Sequence, residues 1–593
     1  MSATGTSPTT PPGQRVGTLP APRTGTEPVG ADRPATGHRA TVLGVLTVIA
    51  ALAAVVRAWQ LDALGFNSDE AVYAGQAASL AGNPRYADLF PVFRAHPMLF
   101  QALLSPFFRV GEADVAGRVV VVVLGVATVL AVYPLGARLY GRRVGLVAAL
   151  LLAVMPYHVV VTRQVLLDGP MVLFATLTLY CLVRFVQGQR LVWYLATAAM
   201  LGLTMLTKET SVVLAGGVYA FLALTPMVRR PVRATLVALP VLAAIFAVHP
   251  LSQALAGRSS TGRNYLVWQL FRRPNHPMDF YLDNVPAAVG PLVLAVALGG
   301  LWWARRRRSW RETLLLAWIA VPVVFFTLWP VKGFQYLLPV AVPVVLLAAR
   351  ALVTLPVPTR LPALRAWPRR ARPATPIGQP SAGQPPESSA GHGTPGTAGP
   401  PPAGGGAPNG TPEPSSTGVD RPGTPARRLV PAVRLAAVAV VAVSLLWPSW
   451  NTVNHAGRST FLAGSGGVPG GREAGRWLAA NTPEGSVILT VGPSMANIVR
   501  YYGSRRSYGL SVSPNPLHRN PSYTPLLNPD ASMRANDLHY VVWDSFSARR
   551  STYFSERLLT LVRRYHGRVV HTEYVDGPDR TPVPVIMIYE VRP

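Results

Sequence analysis

Asn67-Ser68-Asp69-Glu70-Ala71-Val72-Tyr73 follows directly on the first long apolar segment of the chain, Ala40 to Val56. Two adjacent carboxylates at the mouth of a membrane helix need a physical reason, because carboxylates are costly in a bilayer and mark functional sites at its edge. Two reasons fit. Asn67 with Glu70 three residues later has capping-box spacing, and acids in a first helical turn suit the helix dipole. Alternatively, Asp69 and Glu70 stand where a lipid-linked substrate presents its head, and the stretch is catalytic.

The rest of the composition supports the membrane setting. The 593 residues are 50% hydrophobic and 14% charged, with a mean hydropathy of +0.28, whereas a soluble domain carries about 25% charged residues. The formal charge of +29 could suggest nucleic acid. The basic residues sit instead in short clusters between apolar segments: Arg138, Arg142 and Arg143; Arg229, Arg230 and Arg233; Arg305 to Arg308 and Arg311. That is the pattern of cytoplasmic loops under the positive-inside rule, and it argues against nucleic-acid binding. The single cysteine, Cys181, excludes an intramolecular disulfide and a cysteine-based zinc site.

Residues 1–39, rich in Pro, Thr, Gly and Ala, read as a disordered cytoplasmic tail held inside by Arg15, Arg23, Arg33 and Arg39. It is too long and polar for the front of a signal peptide, so the first span is expected to act as an uncleaved anchor. Apolar segments that could cross a bilayer lie near 40–58, 117–136, 144–161, 169–186, 191–207, 210–228, 233–251, 286–304, 313–330, 334–352 and 429–447. The expectation is therefore a mainly α, polytopic bundle of about eleven spans in the plasma membrane. With the tail inside, every basic cluster falls on the cytoplasmic side. The outer face then carries the loops 59–116 and 252–285 and everything beyond the last span. Residues 353–428 read as a disordered cytoplasmic linker whose Arg369, Arg370 and Arg372 suit anionic headgroups. Residues 455–593 read as a small extracytoplasmic α/β domain. Its helices are expected at Gly471–Asn481, Met495–Tyr502 and Tyr553–Tyr565, and its strands at Ser486–Val491, Tyr540–Trp543, Arg568–Tyr574 and Val583–Val591.

Further candidates fall on the same outer face. Arg94 and His96-Pro97-Met98-Leu99 share the loop of Asp69; they suit a phosphate-bearing headgroup, of substrate or of phospholipid. Arg163 and Asp168 are separated by too few residues for a long loop, so they form a structural ion pair or line a cavity. Lys208 is a phosphate ligand or the partner of Glu209. His276 and Tyr281 belong to a loop in which aromatics alternate with Arg and His, either an interfacial belt or a surface for sugar rings. Lys332 and Tyr336 open the tenth span from outside. A cavity with two carboxylates and several cations suits a sugar joined to an anionic phosphate.

Asp69-Glu70-Ala71-Val72-Tyr73 after the first span resembles the Asp-Glu motif of glycosyltransferase family 39. That family includes the protein O-mannosyltransferases and the lipid A aminoarabinose transferases, both of the GT-C fold. His96-Pro97-Met98-Leu99 resembles its His-Pro-Pro-Leu, from which Met98 departs. Arg142-Arg143-Val144-Gly145, Thr207-Lys208, Asn275-His276-Pro277 with Phe280-Tyr281, and Tyr336-Leu337-Leu338-Pro339 are similar to the same group. The resemblance covers roughly residues 40–352. The linker and C-terminal domain lie outside it and are similar to parts of actinobacterial members of unassigned acceptor. The resemblance implies a polyprenyl-phosphate sugar donor and a protein or envelope-glycan acceptor at the outer face. It implies that Asp69 is the catalytic base, or organises the donor phosphate and a divalent cation. Histidine at position 96, where the aminoarabinose branch has lysine, leans the chain towards the mannosyltransferase-like pattern. The expected reaction is an inverting transfer of a hexose such as mannose, with Asp69 as base and Lys208, His96 or Arg163 stabilising the leaving phosphate. The alternatives are a transporter or flippase for a lipid-linked sugar, using the same cavity without chemistry, and a C-terminal domain that is functional by itself on a membrane anchor. No internal repeat supports the first, and eleven spans exceed what an anchor needs.

Overall fold

The computed structural model describes residues 36–226, 228, 232–303, 305, 309–354, 425–458, 467–577 and 579–592. The expected tail up to 35, the linker from 355 to 424, and the basic residues at 229–230 and 306–308 lie outside the described residues. The chain divides into two units, 1–48 and 49–593, and the site lies wholly within the second.

Among the described residues, seven helices are long and apolar enough to cross a bilayer: Arg39–Ala58, Asp114–Tyr140, Asp168–Gly188, Val232–Leu255, Trp310–Leu328, Phe334–Thr354 and Val430–Asn454. An eighth arises if Phe280–Val289 and Pro291–Trp303, bent by 93° at their junction, form one broken span. The expected eleven are not reached, and the reason is local. The apolar runs at 144–161, 191–207 and 210–228 are helical, but their main helices have 13, 17 and 12 residues. Pro156 disfavours helical backbone at the residue before it. Met155 is accordingly extended (ψ 121°), which separates Arg142–Val154 from Pro156–Val161. Gly290, at φ 99°, makes the 93° bend.

Phe334–Thr354 is the most enclosed of these helices, with Leu338, Ala341, Val345 and Leu346 buried in the bundle core. Arg57, fully buried at the end of the first helix, is matched donor by donor. It donates to the carbonyls of Ala53 (2.9 Å) and Ala153 (2.8 Å), to Thr162 Oγ1 (2.9 Å) and to His158 Nδ1 (2.7 Å). A guanidinium inside a membrane fold needs this complete pairing, and here it fastens the first helix to the 142–162 segment.

The C-terminal region forms a five-stranded sheet, β1 Val487–Thr490, β2 Arg506–Gly509, β3 Tyr540–Asp544, β4 Arg568–Asp576 and β5 Pro582–Glu590, in the order β2-β1-β3-β5-β4. The β2-β1-β3 portion is parallel, while β5 pairs antiparallel with β3 and β4. The helices Gly471–Asn481, Pro493–Gly503 and Thr552–Arg564 stand where the sequence predicts them. Strand β2 was not expected. Arg506-Ser507-Tyr508-Gly509 has no apolar run, and as an edge strand it has one neighbour only.

The sheet does not stand apart from the 59–116 segment. One continuous core joins Phe66, Ala74, Tyr86, Phe100 and Phe108 to Leu478, Ile498, Tyr501, Tyr502 and Ile586. Close approach is built into the seam: a Cβ on Gly65 would lie 2.5 Å from Arg472 Cβ, and one on Gly475 would lie 2.5 Å from Tyr502 Cβ.

Candidate active site

The opening stretch forms the helix Ser68–Leu80, capped by Asn67. Asn67 Oδ1 accepts from the amides of Asp69 (2.9 Å) and Glu70 (3.0 Å), and Glu70 Oε2 accepts from the Asn67 amide (3.0 Å). The capping box is thus present. Glu70 does more than cap. Its carboxylate receives Arg118 Nε (2.9 Å) and Nη2 (2.8 Å) and the amide of Val165 (2.9 Å). Arg118 spends its other donors on the carbonyls of Leu61, Leu64 and Gly65. A buried bidentate pair of this kind fixes geometry. It holds the loop before the helix and the helix start in one position.

Asp69, the neighbour of Glu70, lines a different space. It faces a cavity of about 580 Å³ whose wall also includes Tyr73, His96, Lys208, Glu209 and Tyr265. Among the described residues its carboxylate makes no hydrogen bond or ion pair. Burial raises its pKa, and the positive charges of His96 and Lys208 only partly reverse that shift. A half-buried, unengaged carboxylate with a raised pKa is suited to accept a proton.

The cavity's polar wall is built in pairs. His96 Nδ1 lies 3.0 Å from Glu209 Oε2. Burial opposes a charged imidazole, but the Glu209 carboxylate outweighs it, so the His96 pKa lies above its ordinary value. Burial would likewise raise Glu209, yet His96 brings it down to about 2; the two shifts agree on an ion pair. Lys208 Nζ donates to Asp168 Oδ1 (2.7 Å) and Oδ2 (2.8 Å) and lies 4.7 Å from the Tyr336 ring centroid. Burial lowers the Lys208 pKa, and Asp168 more than restores it.

Four further cations line the cavity, Arg272, Lys332, Arg519 and Arg550, and none has an ion-pair partner among the described residues. Arg272 lies over Trp268 at 4.3 Å. Lys332 is buried, its Nζ donates to the Trp329 carbonyl (3.2 Å), and its backbone is clamped by Asn275 through two 2.8 Å bonds. Unpaired cations beside one free carboxylate make a site for an anion. Among the described residues no group of three or more His, Cys, Asp or Glu side chains is placed to hold a metal ion.

Residues from beyond the last apolar helix close the site. Ser511, His518, Arg519, Tyr523 and Arg550 all line the cavity. Asn497 Nδ2 donates to Ser68 Oγ (2.9 Å), and Asn497 is also hydrogen-bonded to Tyr523. The Tyr502 hydroxyl accepts from the amide of Phe66 (2.7 Å) and donates to Asp114. Ion pairs Arg472–Asp62 (2.5 Å) and Arg476–Glu112 (2.9 Å) flank these bonds.

This arrangement of apolar helices and an α/β sheet region has counterparts of known structure. ArnT from Cupriavidus metallidurans superposes with a TM-score of 0.58 at 14% identity, over 94% of this chain and 98% of that one. Its complex with undecaprenyl phosphate matches equally, at 15% identity and the same coverage. The oligosaccharyltransferase of Archaeoglobus fulgidus matches with a TM-score of 0.53 at 14% identity, over 92% of this chain and 74% of that one. No curated protein matches in sequence. Residues 95–252 match the family model described as dolichyl-phosphate-mannose-protein mannosyltransferase. The chain therefore shares the fold of ArnT and of the archaeal oligosaccharyltransferase, the GT-C fold expected from the sequence.

Six of the expected site residues meet at one cavity: Asp69, His96, Lys208, His276, Lys332 and Tyr336. The others are placed elsewhere. Glu70 is enclosed by Arg118. Asp168 stands behind Lys208 rather than beside Arg163, whose Nη2 donates to the carbonyls of Trp59 (2.8 Å) and Gln60 (2.9 Å). Tyr281 braces the wall through Gly333, bonding its carbonyl (3.2 Å) and its amide (3.3 Å). Arg94 lines an adjoining cavity. The sequence reading passed over Glu209 as a site residue. Its signal was an acid directly following Lys208 at the start of an apolar helix, and that acid serves His96 rather than Lys208.

Proposed function

We propose that the chain transfers a sugar, a hexose such as mannose, from a polyprenyl-phosphate donor to an acceptor at the outer face of the plasma membrane, with its N-terminus cytoplasmic. The observation that carries this reading is the Asp69 carboxylate, unengaged among the described residues, in a cavity lined by four cations that have no ion-pair partner among those residues. The matching family is that of the dolichyl-phosphate-mannose-protein mannosyltransferases, and ArnT from Cupriavidus metallidurans has been seen bound to undecaprenyl phosphate. Both supply a precedent for the donor class.

In this mechanism Asp69 takes the proton of the acceptor hydroxyl as the oxygen attacks the anomeric carbon from the face opposite the phosphate. The new carbon–oxygen bond forms as the bond to the phosphate oxygen breaks, with inversion. The leaving polyprenyl phosphate carries the electron pair into the field of Lys332 and Arg272. Lys208, held by Asp168, and His96, held by Glu209, set the potential around Asp69. Positioned donors that face developing charge are worth several kcal/mol in a site shielded from water. A flippase would need the cations but would have no use for the free acid beside them.

The test uses membranes supplied with labelled polyprenyl-phosphate mannose. Asp69→Asn is expected to cut transfer by roughly 10²–10⁴-fold, the usual worth of a general base, and to retain binding of undecaprenyl phosphate. Transfer at the wild-type rate removes Asp69 from the chemistry.

A further inference from the structure

A second cavity, of about 400 Å³, adjoins the first on the far side of Tyr523. The two share Val72, Gln76, Ser522 and Tyr523 in their walls. The second is bounded by the 88–94 stretch of the loop on one side and by residues 497–508 on the other. Three arginines line it, Arg94, Arg500 and Arg506, against one acid, Asp88. None of the three makes an ion pair among the described residues. Arg94 and Arg500 instead bond carbonyls, of Ser522 (3.4 Å) and Ser507 (3.1 Å). Burial, and to a smaller extent the nearby charge of Arg94, lower the pKa of Arg500. Three arginines against a single acid, none of them in an ion pair among the described residues, make a site for an anionic ligand.

We infer that this cavity receives the acceptor, and that the acceptor is an anionic saccharide bearing a carboxylate or phosphate. The inference rests on the transferase reading above. The cavity runs along the Ser68–Leu80 helix that carries Asp69, so a ring bound there presents a hydroxyl past Tyr523 to that carboxylate. Aromatic rings of Phe90, Tyr508 and Tyr523 line it beside the arginines, the surface that sugar rings stack on. Its volume lies at the lower end of small-ligand pockets. An extended peptide would need the edge of β2, which forms part of the wall, to pair with. That edge is blunted, because Arg500 already occupies the Ser507 carbonyl.

The experiment uses the full chain in lipid nanodiscs and measures binding of four soluble probes by equilibrium dialysis: a galacturonic acid trisaccharide, glucose 1-phosphate, maltotriose and a serine-containing oligoglutamate peptide. A charged sugar is expected to bind at least tenfold more tightly than maltotriose, with affinity falling as salt rises. The comparison of uronate with phosphate tells which acid the site prefers. Arg506→Ala, at an exposed position, and Arg94→Ala are each expected to weaken that binding about tenfold and to leave undecaprenyl phosphate affinity within twofold of wild type. Equal binding of maltotriose, arginine-dependent binding of the peptide in place of the sugars, or loss of undecaprenyl phosphate binding in these variants would each overturn the inference. Because the readout is binding, failure here is distinct from failure of the Asp69→Asn transfer assay.

Discussion

The side-chain amide of Asn497 donates to the hydroxyl of Ser68 at 2.9 Å, across 429 residues of chain and one position before Asp69. Both partners are buried. With Tyr502 on the amide of Phe66, this bond makes the sheet domain part of the frame that aims the proposed base. Loss of one partner leaves a buried polar group unsatisfied, at about 1–3 kcal/mol, and small misplacements of a reacting group can cost about 10²-fold in rate. Asn497→Ala is therefore expected to lower kcat by about 10- to 100-fold, with undecaprenyl phosphate affinity within twofold of wild type. A kcat at the wild-type level would show that Asn497 does not position the helix start.

Glu70 and Arg118 lead to a different expectation. Their bidentate pair is buried at both ends, and Glu70 also holds the amides of Asn67 and Val165. Removing one member of a buried pair leaves an uncompensated charge, at roughly 3–5 kcal/mol. Glu70→Gln should accordingly lower the thermal midpoint of the detergent-solubilised protein and its yield of folded material, while folded molecules keep measurable transfer. An unchanged midpoint together with abolished transfer would instead place Glu70 in the chemistry beside Asp69.

The contrast between these neighbouring acids shows what the sequence could and could not disclose. The capping box is local, four residues read in order, and it was legible. Apolar length and the run of cations that includes Lys208, His276 and Lys332 were legible too, because each is a property of a short stretch. Partner choice was not. Arg163 and Asp168 are five residues apart and invite pairing, yet the backbone turns so that Asp168 meets Lys208, 40 residues on. Arg118 inside an apolar helix was a signal that could have been used, since a buried guanidinium requires an anion; its partner, Glu70, lies 48 residues before it. The contribution of Tyr523, Arg519 and Arg550 depends on docking the sheet domain against the 59–116 segment, through aromatic side chains spread over hundreds of residues. No periodicity encodes that docking. Span number is a related case: the apolar runs were read correctly, but Pro156 divides the run at 144–161, and the runs at 191–207 and 210–228 have main helices of 17 and 12 residues.

The pH profile should carry the signature of two groups. Asp69 must be ionised to act as base, and burial raises its pKa, so the acid limb of the rate is expected above the ordinary aspartate value of about 3.9. His96 has a raised pKa through Glu209, so the alkaline limb is expected above about 6.5. Glu209→Gln removes the charge that raises His96 and should move the alkaline limb to lower pH. The same linkage predicts stability. A carboxyl whose folded pKa is raised binds its proton more tightly in the folded state. Its contribution is present below the unfolded value and lost as pH rises through the folded one. Asp69→Asn should then raise the thermal midpoint at neutral pH even as it cuts transfer. A lower midpoint in that variant would mean that the Asp69 carboxylate is engaged after all.

Lys332 offers the sharpest separation of donor binding from acid–base chemistry. It is buried, faces the cavity and has no ion-pair partner among the described residues; its ammonium donates to the Trp329 carbonyl at 3.2 Å and the Met278 sulfur at 3.9 Å. A buried lysine without a counter-charge is held at a cost unless an anion arrives, and a hydrogen bond to a charged group is worth about 1.5–3 kcal/mol. Lys332→Met, which keeps the length of the stem, should therefore weaken undecaprenyl phosphate binding about 10- to 100-fold. It should also raise stability in the absence of lipid, because the uncompensated charge is gone. Lys208→Met should do the opposite for stability, since it strands Asp168. Thermal midpoints with and without undecaprenyl phosphate read both effects at once. Ligand should stabilise wild type by an amount that grows with its concentration over the dissociation constant, and Lys332→Met should show a smaller gain. An undiminished gain in Lys332→Met would move the phosphate away from Lys332, to Arg272 or to the arginines of the sheet domain.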